Sequence, residues 1–446
     1  MRRGFLKEKT LCGPNGGLPT SNAAFSPRSQ ASETYETAEL KDTIATKGHS
    51  NHLNLPCTSL KPNPPKEPIT QWGQGPICLS LPLRTSSASG RIVGPPNLLC
   101  GIRSHFPEFP NPKFVFPKRR YRIGPSSLPT AGLGVFATED LDLGDVIMVD
   151  EPFLSGPRGL ETRERLTADG KRDHDYVFRE TIEELPETYQ RIFWSLHNAK
   201  PAYTYTDIGG IIRTNGLSIT LRPGDPEFVG LGKDIVRINH SCTPNAIYPW
   251  SLHDWCWTVY AVTPIKEGEE VFISYIANDL PRSCRLEELK EKYNMNPCRC
   301  PTCSQNSWQI QISDINRFQI SSFSPPKWYM DGQYTGKQDP DLNAMIRRPG
   351  RNQENLRRLL KESQDWIDLV RKESCWDVQV VGVHGRRLVK GYLALGEEAR
   401  DKVVEIVKLL QVVVLEHTGK DPGWTEVLIR MEETRWWKAA ISSSSE

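Results

Sequence analysis

Residues 237–246 read Arg237-Ile-Asn-His-Ser-Cys-Thr-Pro-Asn-Ala246. Four side chains that carry chemistry, Asn239, His240, Ser241 and Cys242, stand in a row between an aliphatic residue and a proline. An asparagine offers paired donor and acceptor atoms, which suits an amino-acid head group. Working outward, three further motifs flank this run. Upstream is the turn Gly132-Leu133-Gly134, where missing β-carbons let the backbone approach a ligand closely. Such a turn occurs in many folds and is weak alone. Downstream, Gly268-Glu-Glu-Val-Phe-Ile-Ser-Tyr275 reads as an acidic turn entering a strand that ends in tyrosine. Then comes Cys298-Arg-Cys300-Pro-Thr-Cys303, three thiols on one turn and one ligand short of a tetrahedral Zn²⁺ site. Cys242, Cys256 and Cys284 are the cysteines nearest to it in sequence. Cys256 and Cys284 read as ordinary core or surface residues.

In this order and over roughly residues 120–304, the four motifs resemble the core of SET-domain protein lysine methyltransferases. By segment order the chain is most similar to the SET and MYND domain enzymes and their fungal-type cousins without the finger. A MYND finger would need cysteines after a strand such as Asp150-Glu-Pro-Phe153, and none lies between Cys100 and Cys242. The resemblance implies Cys242 as fourth zinc ligand beside Cys298, Cys300 and Cys303, clipping the post-SET segment onto the domain. It implies that Gly132, Leu133 and Gly134 receive part of S-adenosylmethionine, that Asn239 meets the methionine amine, and that the His240 backbone meets adenine. The His240 imidazole reads equally well as structural. Thr214-Asn-Gly-Leu-Ser-Ile219 is similar to a family segment whose asparagine, here Asn215, meets the cofactor carboxylate; a turn residue before a strand is the other reading.

Tyr275 is the expected catalytic and cofactor-side residue. A lysine amine with its ordinary pKa of ~10.4 must lose a proton before it can attack a methyl group. A phenol at the narrow end of a lysine channel can orient that amine beside the sulfonium. Two departures stand out. Ser274 occupies a position where relatives often carry aspartate. In Tyr293-Asn-Met295, Met295 is the positional match and Tyr293 the chemical match for an aromatic that stacks on adenine.

Composition sets the outer bounds. The 446 residues suffice for two or three domains, and 37% hydrophobic with 25% charged residues is a globular balance. The net charge of +2 asks for no nucleic-acid surface. Met1-Arg-Arg-Gly-Phe-Leu lacks the apolar stretch of a secretory leader. Eleven cysteines with one tight cluster suggest a metal in a reducing compartment rather than a disulfide scaffold.

The expected fold is α+β: a SET β-fold (β-clip, pseudoknot) with a helical insert, a zinc-binding post-SET segment and an all-α C-terminal domain. Residues 1–117, with runs such as Leu60-Lys-Pro-Asn-Pro-Pro-Lys-Glu-Pro68, read as a disordered arm. Residues 118–276 read as the SET domain with its insert at about 156–220, 277–304 as the post-SET segment, and 305–446 as the helical domain. Within the last, Gly382-Val-His-Gly-Arg-Arg387 reads as a turn or short hairpin, and Trp424–Trp437 as a third helical face. The expected function is S-adenosylmethionine-dependent methylation of a protein lysine, with S-adenosylmethionine and Zn²⁺ as cofactors. The alternative is a catalytically weak SET-fold protein-binding module. The expected partner is a lysine-bearing protein or peptide, a histone tail among the candidates, with no nucleic acid, no membrane and a monomeric chain. The expected location is the nucleus, the cytoplasm or both.

Overall fold

The computed structural model describes residues 77–84, 89–94, 102, most of 110–415, and a few positions beyond. The first strands fall inside the stretch expected to be a disordered arm. Ile77–Pro82 (β1) and Ser89–Gly94 (β2) pair antiparallel, and β2 runs parallel to Pro152–Pro157 (β6). The expectation therefore fails at Ile77–Pro82 and Ser89–Gly94; residues 1–76 lie outside the described residues. The physical reason is the partner. Ile92 and Val93 are 2% and 0% exposed, buried against a sheet some 60 residues downstream, so local composition could not reveal them.

Tyr121–Pro125 (β3) and Leu133–Ala137 (β4) form a hairpin around the glycine turn, followed by Val146–Asp150 (β5) and β6. The insert holds a small hairpin, Glu164–Leu166 (β7) with Arg172–His174 (β8), and three helices. Tyr176–Glu183 (α1) and Glu187–Trp194 (α2) divide at Pro186, which cannot donate within a helix. Asp207–Asn215 (α3) is capped by Thr206, whose side chain accepts from Gly209 N. Val177, Phe178, Ile182, Tyr189 and Phe193 from the first two helices pack on Phe153 and Leu154 of β6.

After Leu217–Ile219 (β9) and Phe228–Gly232 (β10), a 3₁₀ turn at Ile235–Arg237 delivers the motif of residues 239–242. Asn239–His240 (β11) runs parallel to Glu270–Ile273 (β15), with Asn239 opposite Phe272 and His240 opposite Ile273. Ala246–Ile247 (β12), Trp250–Ser251 (β13) and Cys256–Ala261 (β14) lie between them in the chain. Besides the β7-β8 hairpin, the described residues form three larger sheets: β1-β2-β6-β10-β9, β11-β15-β4-β3, and β12-β14-β13 with β5 on β14. The fold is a SET fold of mixed α and β structure with a helical C-terminal region, as expected.

Arg282–Tyr293 (α4) ends at Asn294, whose left-handed backbone (φ 52°) turns the chain toward the cysteines. Ser307–Ser321 (α5) begins with a reciprocal capping box between Asn306 and Gln309. Pro340–Ile346 (α6), Pro349–Glu373 (α7), Val378–Leu395 (α8) and Arg400–Leu410 (α9) complete the helical region. Leu356, Leu360, Ile367 and Val370 of α7 and Val403, Ile406, Val407 and Leu410 of α9 are buried in one core, as their spacing predicts. Gly382–Arg387 is not a turn or hairpin but the middle of α8. A Cβ at Gly382 would lie 2.0 Å from the Tyr329 hydroxyl, and one at Gly385 2.8 Å from Leu410. These glycines serve close helix packing rather than chain reversal. Trp424–Trp437 lies mostly outside the described residues.

Among the described residues, no helix is long and apolar enough to cross a membrane.

Candidate functional site

One cavity of about 770 Å³ opens between the glycine turn, the end of α2, the end of α3, the 3₁₀ turn and the chain leaving α4. Gly132, Leu133, Asn215, Asn239, Tyr275, Tyr293 and Met295 line it. Residues as far apart in sequence as Gly132 and Met295 thus converge. Gly134 and His240 do not line it. Gly132 has φ +74° and open space where a Cβ would stand, so it meets the steric demand on a ligand-side turn. Gly134 answers a different demand: a Cβ there would meet Glu270 Oε1 at 2.1 Å and Asn239 Nδ2 at 3.3 Å.

Glu270 is the residue that sequence reasoning missed. It is 5% exposed. Its carboxylate accepts from Ser126 Oγ (2.8 Å), Ser127 N (2.7 Å), Ser127 Oγ (2.5 Å) and Asn239 Nδ2 (2.9 Å). The carboxylate therefore fixes the glycine turn and the Asn239 side chain in one frame. The available signal was an acid opening an otherwise apolar strand, Glu270-Val-Phe-Ile273.

Asn239 donates its second N–H to Leu133 O (2.9 Å), so both amide hydrogens are committed and Oδ1 alone is offered. Asn215 behaves alike. Its Nδ2 donates to His197 O (2.7 Å) and Ile211 O (2.8 Å). Because both partners are carbonyls, the amide orientation is fixed. Asn215 therefore has only an oxygen to present, which suits an ammonium. This is a departure from the expectation that its side chain meets a carboxylate.

Tyr275 leaves β15 with its hydroxyl donating to Ile238 O at 2.8 Å, which leaves the phenol oxygen as an acceptor. Its ring centroid lies 5.0 Å from that of Tyr293, and Tyr293 donates to Tyr275 O at 3.2 Å. Met295 follows two residues on, so the aromatic and thioether expected near adenine share one wall with the phenol. His240 is 1% exposed. Its Nδ1 accepts from Tyr275 N (3.0 Å), which places the ring proton of the neutral imidazole on Nε2, 3.4 Å from Cys242 Sγ. The imidazole is structural, and its donor faces a thiol that would accept best as thiolate.

The four expected metal ligands do come together. Cys242, Cys298, Cys300 and Cys303 are buried, with sulfurs all within 4.8 Å of one another. Cys242 and Cys303 sulfurs are 3.5 Å apart. Hydrogen bonds from Cys242 and its neighbours push the Cys300 thiol down, while donation to Cys298, Cys300 and Cys303 pushes Cys242 up. Four soft donors within 4.8 Å of one another could hold Zn²⁺, which would remove that conflict by binding all four as thiolates. The buried Arg285 and Arg317 add positive charge nearby: Arg317 Nη2 donates to Cys242 O at 3.0 Å and its Nε lies 3.2 Å from Glu373 Oε2. Cys256 is an ordinary core cysteine with burial pushing its thiol up to about 12. Cys284 differs from expectation in being disulfide-bonded.

The charge of the cavity is one-sided. Among the described residues its lining includes Arg237, Arg299 and His197 and no aspartate or glutamate. Arg237, held by Ser195 Oγ at 2.7 Å, has its pKa lowered by burial, partly opposed by Asp234.

Residues 132–276 match the family model described as SET domain. Histone-lysine N-methyltransferase set5 of Schizosaccharomyces pombe is 28% identical over 204 residues, 46% of this chain and 56% of that protein. Human N-lysine methyltransferase SMYD2 is 35% identical over 123 residues, 26% of this chain and 25% of that protein. SET domain and MYND-type zinc finger protein 6 of S. pombe is 31% identical over 97 residues, 21% and 19% of the two chains. The chain thus spans about half the length of the first relative and a quarter or less of the others. The fold and the convergent motifs define a SET domain. Over residues 132–276 the chain matches the SET domain, and in this region it is similar to proteins named as lysine methyltransferases.

Proposed function

We propose that this chain transfers a methyl group from S-adenosylmethionine to a lysine side chain of a protein. The observation that carries the proposal is convergence: Gly132, Asn215, Asn239, Tyr275, Tyr293 and Met295 line one cavity large enough for a nucleoside with an amino-acid arm. S-Adenosylmethionine supplies an electrophilic methyl on a sulfonium. Asn239 and Asn215 present acceptor oxygens to the ammonium of its head group. Tyr293 and Met295 cover an aromatic surface. Tyr275, its proton given to Ile238 O, accepts from the incoming amine and holds its lone pair in line. The lysine must arrive neutral, and a cavity free of carboxylates favours that form by leaving an ammonium unpaired. Cys242, Cys298, Cys300 and Cys303 would hold Zn²⁺, which would tie the segment bearing Met295 to the strand bearing Asn239. Of the residues expected at the cofactor site, Gly132, Leu133, Asn215, Asn239, Tyr275, Tyr293 and Met295 line the cavity, whereas Gly134 and His240 do not.

A histone tail is the first substrate to try, because set5 is named a histone-lysine methyltransferase. A nuclear or cytoplasmic location follows from such a substrate. The test is transfer of tritiated methyl groups to core histones and to fractionated cell protein. Wild type should label lysine, and Tyr275→Phe should lower the rate by about 100-fold while ligand affinity stays within a few-fold. Wild-type protein that binds S-adenosylhomocysteine yet labels nothing would instead make this a SET-fold binding module.

A further inference from the structure

Of the five asparagines in the cavity lining, Asn215 and Asn239 have spent their donors on protein acceptors and offer only oxygens. An amino-acid head group also carries a carboxylate, and that group needs a donor of opposite charge. The glycine turn, Leu128-Pro-Thr-Ala-Gly-Leu-Gly134, supplies no cation. Of the two arginines in the lining, Arg299 is exposed and Arg237 half-buried. Arg237 has no carboxylate within ion-pair distance among the described residues. Asp234 acts on it only from farther away and is itself engaged, its Oδ2 accepting from Tyr121 Oη at 2.7 Å and lying 3.8 Å from Arg119. Ser195 Oγ, at the end of α2, takes one guanidinium donor and holds the side chain in place.

We propose that Arg237 is the specificity residue that receives the carboxylate of the cofactor's amino-acid arm, while Asn239 and Asn215 accept from its ammonium. The inference rests on reading this cavity as the S-adenosylmethionine site. A half-buried cation without a counter-ion is unfavourable, and an incoming carboxylate relieves that cost as it forms a fork of charge-assisted hydrogen bonds. Placed two residues before Asn239, Arg237 lets one short segment read both charges of the head group. Ligands that lack the arm gain nothing from it.

The test compares two probes on the full, zinc-loaded chain by calorimetry: S-adenosylhomocysteine, and 5′-methylthioadenosine, which keeps the nucleoside but has no amino-acid arm. In Arg237→Gln the affinity for S-adenosylhomocysteine should fall about 10- to 100-fold, with that for 5′-methylthioadenosine unchanged within twofold. Arg237→Lys should recover part of the loss, since it restores the charge without the fork. Equal affinity of wild type and R237Q for S-adenosylhomocysteine would overturn the assignment. So would an equal loss for both probes, which would mark Arg237 as a structural prop. A folded wild type that binds neither probe would remove the cofactor reading of the cavity, and this assignment with it.

Discussion

Replacing Glu270 by glutamine tests whether the site is built around one carboxylate. The change preserves shape and substitutes an NH₂ group for one oxygen. Oε1 accepts from Ser126 Oγ and Asn239 Nδ2, and Oε2 from Ser127 N and Ser127 Oγ. The serine hydroxyls can rotate to accept, but the Ser127 N–H cannot. Nor can Asn239 reverse freely, because its other hydrogen serves Leu133 O. Wherever the new NH₂ points, one donor faces a donor, at a cost of about 1–3 kcal/mol with the carboxylate's charge assistance also lost. Thermal unfolding should therefore come about 3–8 °C lower. Binding should weaken as well, since either Asn239 or the Gly132 turn must move; about tenfold in the dissociation constant of S-adenosylhomocysteine is expected. Thermal unfolding and calorimetry on the same preparation give both numbers. A variant with an unchanged midpoint and unchanged affinity would show that Glu270 is not the organiser.

Other perturbations follow from the same structure. Chelation, or Cys300→Ser, should release one zinc per chain by elemental analysis and abolish S-adenosylhomocysteine binding; binding that survives complete metal removal would separate the cluster from the pocket. Arg317→Met leaves Glu373 buried without its partner and should destabilise by about 3–5 kcal/mol in chemical denaturation, with Arg317→Met/Glu373→Gln recovering part of the loss; no recovery would argue against the pair. Burial raises the Asp150 carboxyl to about 7, so the folded state keeps a proton that the unfolded chain has lost above its ordinary value near 4. Stability contributed by that group is then present at low pH and lost as pH rises toward 7. Relative to Asp150→Asn, wild type should lose about 2–4 kcal/mol between pH 4.5 and 7.5, and parallel pH profiles would contradict the assignment.

Local words in the chain carried much of this. The aliphatic spacing of α7 and α9 announces their buried faces. The convergence of Gly132, Asn239 and Tyr275 was legible only through resemblance, because β11 and β15 lie side by side in parallel while their residues stand 33 apart. What sequence could not show was which atoms a side chain has already spent. Asn215 and Asn239 look like two-way readers of a ligand until the carbonyls at His197, Ile211 and Leu133 take their donors. Only then does Arg237, silent in the sequence, become the group with charge to give. Ile77–Pro82 and Ser89–Gly94 were hidden for a related reason: β2 owes its order to β6, not to its neighbours in the chain.

The imidazole of His240 stands between the sulfur of Cys242 and the backbone of Tyr275. A change at the cysteine cluster can thus reach the phenol through one ring, without anything entering the cavity. Oxidants and metal-starved cells act on thiols long before they act on tyrosines. If the four sulfurs hold zinc as proposed, its supply and the redox state around it would bear on the site's geometry through this ring.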